Sequence, residues 1–420
     1  MKLFLKNIGK ISFASVEING ITVIAGENNT GKSTVGRALF SMFNSFYDVP
    51  NKVKRERISS IRQALDRMYE ESGTNVYVAA NTLAIAKAVA SYEFDGNDSG
   101  ESLRQALLTL LDLYNDGTQS AINDEVLDRT VRRINDISNI SDEAFLFYTL
   151  SKNFAAEFNG QVRNIFNNNV AEIKLLIQDK PISFSVMKDG SFSMHKGYDT
   201  SLYTDAIYID DPFVLDDYPA YPSALLSRNH RNHLRNKLFS IRKPENVLDE
   251  IIVEQKLSLI HQKISSICDG DIIRKGAQMV YQKPNSGKTL NVRNLSTGLK
   301  TFVILKTLLL NGSIKEDGVI ILDEPEIHLH PEWQLLFAEL IVLIQKEFGV
   351  YILLNTHSPY FLRAIQVYSM KYGTAEACKY YLSEVVNDNA EIIDTTGDID
   401  MIYKKLYHPL QKLEDERWQE

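Results

Sequence analysis

The sequence has very little cysteine and no long apolar run. Its two cysteines, Cys268 and Cys378, lie far apart and lack the spacing of metal ligands, which excludes a disulfide framework. We therefore expect a reduced, cytoplasmic compartment. No run of about 18 apolar residues is present, so no membrane-spanning segment is predicted. The first residues, 1–6, alternate like an edge strand and lack the apolar core of a signal peptide.

Positive charge is also in deficit. The 420 residues carry 46 Lys and Arg against 54 Asp and Glu, which gives a net charge of −8. This balance argues against a chain covered with nucleic-acid-binding surface, although it leaves room for a local basic groove. Hydrophobic residues make up 44% of the chain, enough for a large core. The length predicts two or three structural units.

The sequence does contain a phosphate-binding loop. Residues 26–34 read Gly-Glu-Asn-Asn-Thr-Gly-Lys-Ser-Thr and fit the pattern G-x-x-x-x-G-K-[S/T] without a substitution. The glycines allow backbone N–H groups to converge on phosphate oxygens, and the N-terminus of the following helix favours the same anion. The alternative is a Gly- and Asn-rich turn before a helix. The β-branched run before the loop and the helical spacing after it favour a nucleotide site.

Each position of the loop receives an expected role. Lys32 would reach the β- and γ-phosphates of ATP, and the Ser33 hydroxyl would ligate Mg²⁺. The predicted nucleotide-binding residues of the loop are Gly26, Asn28, Asn29, Thr30, Gly31, Lys32, Ser33 and Thr34.

Two further stretches read as buried strands that end in polar residues. The apolar run 319–322 ends in Asp323 and Glu324, and the run 350–354 is followed by Asn355, Thr356 and His357. Asp323 would hold Mg²⁺, usually through water, and Glu324 would polarise the attacking water. A strand followed by an acidic turn is the alternative. His357 would face the γ-phosphate, although a lone histidine is more often structural.

The order of these motifs is typical of one family. Phosphate loop, a Leu-Ser-Thr-Gly turn at 295–298, a strand with Asp-Glu and a strand ending in Thr-His together resemble the ABC-type ATPase head. The resemblance implies an α/β fold, a P-loop NTPase head with a mixed sheet. It also implies that two heads dimerise with ATP between them. Ser296 and Gly298 of one subunit would then contact the γ-phosphate held by Lys32 of the other, and His357 resembles the switch histidine.

The distance between motifs indicates the branch of the family. About 260 residues separate Ser33 from Ser296, which predicts a helical insertion in the head. The sequence motif Asp-Glu-Pro-Glu-x-His-Leu-His-Pro at 323–331 resembles that of the SMC, RecF and OLD-like ATPases, including the ATPase subunit of Septu-type antiviral defence systems. The predicted domains are 1–48 and 169–420 for the head and 49–168 for the insertion. No glutamine loop is identifiable; the strand 206–209 is followed by Asp210-Asp211-Pro212 instead.

The periodicity of apolar residues predicts the remaining elements. Alternation indicates strands at 2–8, 11–18, 21–25, 173–178, 182–187, 191–195, 206–209, 272–282 and 288–293. Helical spacing indicates helices at 52–71, 77–93, 101–115, 121–137, 141–167 and 244–268. Asn19-Gly20 predicts a hairpin turn between the second and third strands, and residues 188–190 predict another.

Two weaker signals stay open at this point. The cations between Arg228 and Lys243 either contact a nucleic-acid backbone or lie on a solvated helix face and balance nearby aspartates. Glu326, His328 and His330 are either a metal cluster or, as we prefer, the dimer-contact loop after the catalytic glutamate.

These observations predict a Mg²⁺-dependent ATPase that dimerises on ATP, or forms a higher oligomer. It would act as a nucleotide-controlled switch in antiviral defence or DNA transactions. Members of the OLD-like branch that this chain resembles often carry a Toprim nuclease after the head. About 60 residues follow His357, too few for such a domain, so a partner protein is expected to supply nuclease activity. A low-turnover, ATP-bound scaffold is the alternative. A transporter ATPase is disfavoured by the long insertion and the His-Leu-His-Pro loop.

Overall fold

The computed structural model describes most of the chain. The described residues are 1–73, 81–91, 99–114, 122–166, 169–178, 180–197, 200–217, 228–239, 247–276, 278–284 and 286–417. For 99 and 247–255 only the helical backbone is described. Contacts divide the chain into two compact units, Met1–Tyr47 with Leu150–Glu420, and Asp48–Thr149. The domain boundaries predicted at 48/49 and 168/169 stay a prediction.

Fourteen strands occur in the described residues. They are β1 (Lys2–Ile8), β2 (Ile11–Glu17), β3 (Ile21–Gly26), β4 (Ala171–Ile177), β5 (Lys180–Val186), β6 (Phe192–Lys196), β7 (Ala206–Ile209), β8 (Asp271–Lys275), β9 (Gln278–Gln282), β10 (Thr289–Asn291), β11 (Val319–Asp323), β12 (Tyr351–Thr356), β13 (Lys379–Val386) and β14 (Asn389–Asp394). Eleven of them form one sheet in the order β6-β5-β4-β1-β2-β14-β13-β3-β12-β11-β7, and β10-β9-β8 form a second.

Twelve α-helices accompany the strands. They are α1 (Lys32–Phe46), α2 (Val49–Glu71), α3 (Thr82–Ala90), α4 (Ser99–Tyr114), α5 (Asp124–Ser138), α6 (Asp142–Glu157), α7 (His230–Phe239), α8 (Val247–Ser265), α9 (Thr297–Leu310), α10 (Pro331–Phe348), α11 (Pro359–Tyr372) and α12 (Asp400–Arg417). Among the helices that the structure describes, none is long and apolar enough to cross a membrane.

The middle of the large sheet is parallel and buried. Strands β13, β3, β12, β11 and β7 pair in parallel, and every residue of β3 is buried. Their near-continuous apolar sequences follow from this burial. The register aligns Asp323 with Asn355 and Thr356 with Ala25. The carboxyl ends of the three strands therefore meet at one edge, where α/β sheets place their ligands.

The mixed α/β sheet confirms the predicted fold class. The meander β4-β5-β6 is confirmed as well, with Gly190 at a φ of 82° in its turn. The Asn19-Gly20 hairpin is wrong, because β2 pairs with β1 and β14, and β13 and β14 lie between it and β3. Strands β13 and β14 lie nearly four hundred residues further along the chain, so a local turn signal cannot predict that they enter the sheet here.

Two other predicted elements differ in extent. The run 272–282 is a hairpin of β8 and β9 rather than one strand, turning at Gly276 with a φ of 62°. The helix predicted to reach 167 ends at Glu157, because Asn159 and Gly160 adopt left-handed backbone angles that stop a helix. Residues 244–246, at the start of the helix predicted over 244–268, lie outside the described residues.

The unit Asp48–Thr149 has its own hydrophobic core. Buried side chains from α2, α3, α4 and α5 form it, among them Ile61, Leu65, Ile85, Leu107 and Ile134. The predicted helical character of this region is confirmed; α2 and α4 are slightly longer than the periodicity indicated, and α3 and α5 are shorter. Residues 92–98, between α3 and α4, lie outside the described residues.

Candidate active site

Two glycines in the loop 26–34 permit its path, for different reasons. Gly31 has a φ of 90°, and a Cβ there would lie 3.0 Å from Ile11 and 3.1 Å from Ala390. A Cβ on Gly26 would lie 2.2 Å from the carbonyl oxygen of Ser383. The first glycine of the motif is therefore required by the neighbouring strand β13, while the second supplies the left-handed turn into α1.

The loop is held by hydrogen bonds to its carbonyl oxygens. The Thr30 hydroxyl donates to Glu27 O at 2.8 Å, the Ser383 hydroxyl donates to Thr30 O at 2.6 Å, and Lys10 Nζ donates to Asn29 O at 3.1 Å. The first turn of α1 contains no acidic residue and no side-chain cap. Ser33 and Thr34 lie in this turn, at the positive end of the helix. Such an end suits an anion.

Lys32 lies under the loop with its side chain 4% exposed. Its ammonium donates to Gly26 O at 3.0 Å and to Glu27 O at 2.8 Å. It also lies 3.4 Å from Oε1 of Glu324. The structure thus brings together a cation from the start of α1 and a carboxylate from beyond the end of β11.

Asp323 is held by two donors from the neighbouring strands. The Tyr208 hydroxyl on β7 donates to its Oδ2 at 2.8 Å, and Asn355 Nδ2 on β12 donates to its Oδ1 at 2.9 Å. These bonds fix the carboxylate at the strand end, as second-shell groups fix a metal ligand. Burial, followed by the adjacent Asp323 charge, raises the pKa of Tyr208 well above its ordinary value.

Glu324 turns the chain out of β11. Its φ is 50°, a left-handed angle that is rare outside glycine, and its N–H donates to Asn355 O at 2.9 Å. His357 Nδ1 lies 3.4 Å from Glu324 Oε1. The interaction with His357, together with the Lys32 charge, outweighs burial and lowers the pKa of Glu324, while Glu324 raises the pKa of His357. The carboxylate is therefore ionised at neutral pH.

Glu326 lies beneath this cluster and is 2% exposed. Its Oε1 accepts hydrogen bonds from the Thr356 hydroxyl and, at 3.4 Å, from the His357 N–H. Its Oε2 is buried without a hydrogen-bond partner. Burial raises the pKa of Glu326. A buried carboxyl thus ties the Asp-Glu-Pro-Glu turn to the strand end that carries His357.

The Leu-Ser-Thr-Gly turn forms the start of α9. Ser296 is its exposed N-cap, and its hydroxyl accepts from Leu299 N–H at 3.4 Å. Gly298 is buried, and a Cβ there would lie 2.9 Å from the carbonyl oxygen of His328. Neither Ser296 nor Gly298 hydrogen-bonds to the phosphate loop in the part of the chain that is described. Their predicted contact with a second subunit stays a prediction.

The basic stretch after 228 is balanced by carboxylates. His230 contacts Glu157 at 2.7 Å and Asp210 at 2.8 Å, while Arg231 pairs with Asp211 at 2.5 Å and Asp217 at 2.8 Å. Further along α7, His233 and Lys237 share Asp205, at 3.1 and 2.5 Å. Of the two interpretations of this stretch, contact with nearby carboxylates is the one confirmed for these four residues. Arg242 and Lys243 lie outside the described residues.

The structure does not arrange Glu326, His328 and His330 as a metal cluster, and the dimer-contact loop at 326–330 stays a prediction. Glu326 is buried, whereas the His328 ring packs edge-on against Phe213 at 6.1 Å. Within the described ranges, no group of three or more His, Cys, Asp or Glu side chains is placed to hold a metal ion.

Several residues at this edge escaped prediction. Tyr208 carries no motif, and only its contact with Asp323 identifies it. Glu326 belongs to the Asp-Glu-Pro-Glu motif, but its contact with Thr356 was not predicted. Asn355 directly precedes Thr356 and His357 at the end of a strand, and this position was the only sequence signal for its contact with Asp323. Asp210 directly follows β7, the strand next to β11, at the position where the family resemblance would place a glutamine loop. It is bound to His230.

Comparison with known proteins gives three kinds of similarity. The family described as AAA domain, putative AbiEii toxin, Type IV TA system, matches residues 21–363. The Retron Vc95 probable ATPase of Vibrio cholerae serotype O1 biovar El Tor is 22% identical over 395 residues, covering 86% of this chain and 70% of that protein.

Two solved structures are also similar to the chain. The SMC head domain from Thermotoga maritima aligns over 94% of this chain and 97% of that chain, with 12% identity and a TM-score of 0.37. The Smc head domain with an extended coiled coil bound to the C-terminal domain of ScpA, from Pyrococcus furiosus, aligns over 99% and 98%, with 10% identity and a TM-score of 0.43.

The family match, together with the motif order and the geometry above, confirms the predicted ATPase of the SMC- and RecF-like ABC type. The resemblance to Septu stays a prediction.

Proposed function

The chain belongs to the family described as AAA domain, putative AbiEii toxin, Type IV TA system, and from this premise we propose that it hydrolyses ATP between two copies of itself to control a separate effector. One observation carries the proposal. The phosphate-loop lysine and the carboxylate beyond β11 meet, with Lys32 Nζ 3.4 Å from Glu324 Oε1. A phosphate-binding cation and an ionised base at one sheet edge are what hydrolysis of a γ-phosphate requires.

The residues divide the chemistry among them. Lys32 binds the β- and γ-phosphates, and the N-terminus of α1 adds backbone donors. Glu324 accepts a proton from water as the water oxygen bonds to the γ-phosphorus and the bond from phosphorus to the ADP oxygen breaks. His357, at 3.4 Å from Glu324 Oε1, is positioned to hold the carboxylate and to sense its protonation.

Mg²⁺ is the cofactor that this donor set fits. Ser33 and Asp323 supply oxygen ligands, which hard divalent cations prefer. Tyr208 and Asn355 hold both carboxylate oxygens of Asp323 and would orient it. A bound Mg²⁺ would neutralise charge on the transferred phosphoryl group.

Dimerisation is supported by the exposure of Ser296 in the Leu-Ser-Thr-Gly turn. Ser296 is exposed at the N-terminus of α9, and that helix begins without an acidic residue in its first turn. A serine hydroxyl and an exposed helix N-terminus suit an anion. In the proposed dimer, Ser296 and Gly298 of one copy receive the γ-phosphate bound by Lys32 of its partner.

Complementation between two inactive variants tests this arrangement. Lys32→Ala removes the phosphate cation, whereas Ser296→Asp keeps an N-cap acceptor and adds a negative charge that repels phosphate. Each variant alone should hydrolyse no ATP. A mixed dimer has one site with both changes and one site with neither, so an equimolar mixture should recover about a quarter of the wild-type rate. Each variant mixed with itself is the control.

If the mixture stays inactive while both proteins remain folded and bind each other, the composite site is wrong. If Ser296→Asp alone keeps full activity, the Leu-Ser-Thr-Gly turn has no part in hydrolysis.

The effector role is supported by the name of one relative, the retron probable ATPase. We propose that a nuclease encoded beside this chain is restrained by it and released as nucleotide turns over. Co-purified complexes should cleave DNA with wild-type chain and ATP, and should stay inactive with Glu324→Gln. A nuclease that is equally active with both chains contradicts the switch. A complex that responds to ATP binding but never to turnover indicates the scaffold.

A further inference from the structure

A groove runs between α2 and α5 in the helical unit. It has a volume of about 280 Å³. Its lining is polar at the rim and apolar at the floor, where Met68 and Val126 are buried. The other lining residues are Ser60, Gln63, Ala64, Arg67, Glu71, Arg129, Thr130 and Arg133. This groove has no part in the site described above.

Three arginines face this groove, and two of them have no carboxylate partner. Arg129 pairs with Glu71 at 3.2 Å. In the described part of the chain, neither Arg67 nor Arg133 forms an ion pair, although both are exposed. The lining therefore carries three positive charges and one negative charge.

Four other arginines of the same unit are paired with carboxylates, Arg55 with Asp48 among them, whereas Arg132 bonds to the backbone oxygen of Asp128. Arg57 bonds to Asp142 at 2.8 Å, Arg62 lies 3.6 Å from Asp66, and Arg104 bonds to Asp124 at 2.8 Å and Asp128 at 2.9 Å. Among the described residues of this unit, three arginines form no ion pair, Arg67, Arg132 and Arg133, and two of them line the groove. An anionic ligand is the partner that such a lining fits.

The arrangement of the arginines fits a repeating anion. Arg129 and Arg133 are four residues apart on α5, a rise of about 6 Å, and Arg67 faces them from α2. Phosphates repeat along each nucleic-acid strand, so a row of cations along one helix face can contact more than one of them. No aromatic ring is among the residues that line the groove, so base stacking has no platform here. Contact would be with the backbone.

We propose that Arg67, Arg129 and Arg133 bind the phosphodiester backbone of a nucleic acid in this groove. The site is separate from the stretch beginning at Arg228, where His230, Arg231, His233 and Lys237 are balanced by carboxylates. The proposal does not depend on the ATP-driven switch. Binding of this kind is independent of base sequence and strongly dependent on salt.

Fluorescence anisotropy of the full chain with a labelled DNA duplex of mixed sequence tests the site. The double variant Arg67→Ala, Arg133→Ala should bind about tenfold more weakly at low salt. Its slope of log affinity against log salt should flatten by about 1.8 between about 50 and 200 mM, since two phosphate contacts are lost. Arg132→Ala, which removes the same charge from the same helix outside the groove, should stay within about twofold of the wild type.

A second variant reverses the sign of the effect. Glu71→Gln removes the carboxylate that competes for Arg129, so the duplex should bind more tightly and the salt slope should steepen. Far-UV circular dichroism and ATP turnover without nucleic acid report that each variant is folded. An RNA duplex bound in the same way supports the proposal, because its backbone carries the same charge.

Three results would overturn it: unchanged affinity and slope in the double variant, an equal loss in Arg132→Ala, or weaker binding in Glu71→Gln. Inorganic phosphate or ATP could also compete at concentrations that leave ionic strength unchanged. If either displaces the duplex, the groove takes a small phosphate compound and the nucleic-acid assignment fails.

Discussion

Oε1 of Glu324 lies 3.4 Å from Lys32 Nζ, so the proposed base and the phosphate-binding lysine of one chain are in direct contact. The same oxygen lies 3.4 Å from Nδ1 of His357. The interaction with His357 and the charge of Lys32 therefore hold the pKa of Glu324 low, His357 being the stronger of the two. A γ-phosphate bound by Lys32 would compete with the carboxylate for that ammonium. The base would then be released toward water only when nucleotide is bound.

Removal of the Tyr208 hydroxyl should weaken the metal site. Tyr208→Phe deletes the 2.8 Å bond to Asp323 Oδ2 and leaves Asn355 as the remaining donor. Loss of such a second-shell bond typically costs about 10- to 100-fold in metal affinity. The Mg²⁺ concentration for half-maximal hydrolysis should therefore rise about tenfold. Tyr203→Phe, at a side chain 93% exposed, is the control. An unchanged Mg²⁺ dependence means that Asp323 needs no hydroxyl donor.

Stability should depend on His230 in a defined pH range. Burial opposes its charged form, but hydrogen bonds to Asp210 and Glu157 outweigh burial and raise the pKa of His230 from 6.5 to about 9. The Tyr208 ring packs 4.5 Å away, and Phe40 lies edge-on at 6.2 Å. Since the folded pKa is the higher one, the contribution is complete below pH 6.5 and is lost as the pH rises through about 9.

Chemical denaturation of His230→Gln measures this contribution. The variant should be less stable than the wild type by about 3 kcal/mol at low pH, and the difference should shrink as the pH rises to 9. His261→Gln, at an exposed position on α8, should show no such convergence. A constant difference across the range would contradict the assignment of the charge to His230.

Glu326 should stabilise the strand end that carries His357. Glu326→Ala leaves the Thr356 hydroxyl and the His357 N–H without their acceptor and opens a cavity, which should cost about 2–4 kcal/mol. Glu326→Gln keeps an acceptor and a donor. Because burial raises the pKa of Glu326, the wild type loses stability as the pH rises above 4.5, and the Gln variant should not.

Thermal unfolding across pH separates these variants. The melting temperature of Glu326→Gln relative to the wild type should increase with pH, while that of Glu326→Ala stays low throughout. If the Gln variant is as unstable as the Ala variant, the carboxyl acts through packing that an amide cannot reproduce.

The local part of the site could be predicted from the sequence. Gly31 needs its left-handed angle at the position where the motif places it, and Asp323 ends a buried strand as the apolar run indicated. These features depend on residues that are neighbours in the chain. The parallel pairing of β12 with both β3 and β11 places these strand ends at one edge of the sheet.

The long-range part could not be predicted. Tyr208 reaches Asp323 across 115 positions, and Glu157 reaches His230 across 73. No local pattern reports such partners, which is why the basic stretch at α7 left two interpretations open. For the same reason the Asn19-Gly20 hairpin was wrong, since β13 and β14 enter the sheet between the strands that the turn would have joined.

Steady-state ATP hydrolysis by the wild type and Glu324→Gln, each with a parallel nucleotide-binding measurement, tests the central claim most directly. Gln preserves the shape of the side chain but cannot accept the proton, so turnover should fall by about 10²- to 10⁴-fold while ATP still binds. Glu172→Gln, at an exposed carboxylate paired with Lys6, should keep the wild-type rate. Equal turnover in the wild type and Glu324→Gln would contradict the role of Glu324 as the base.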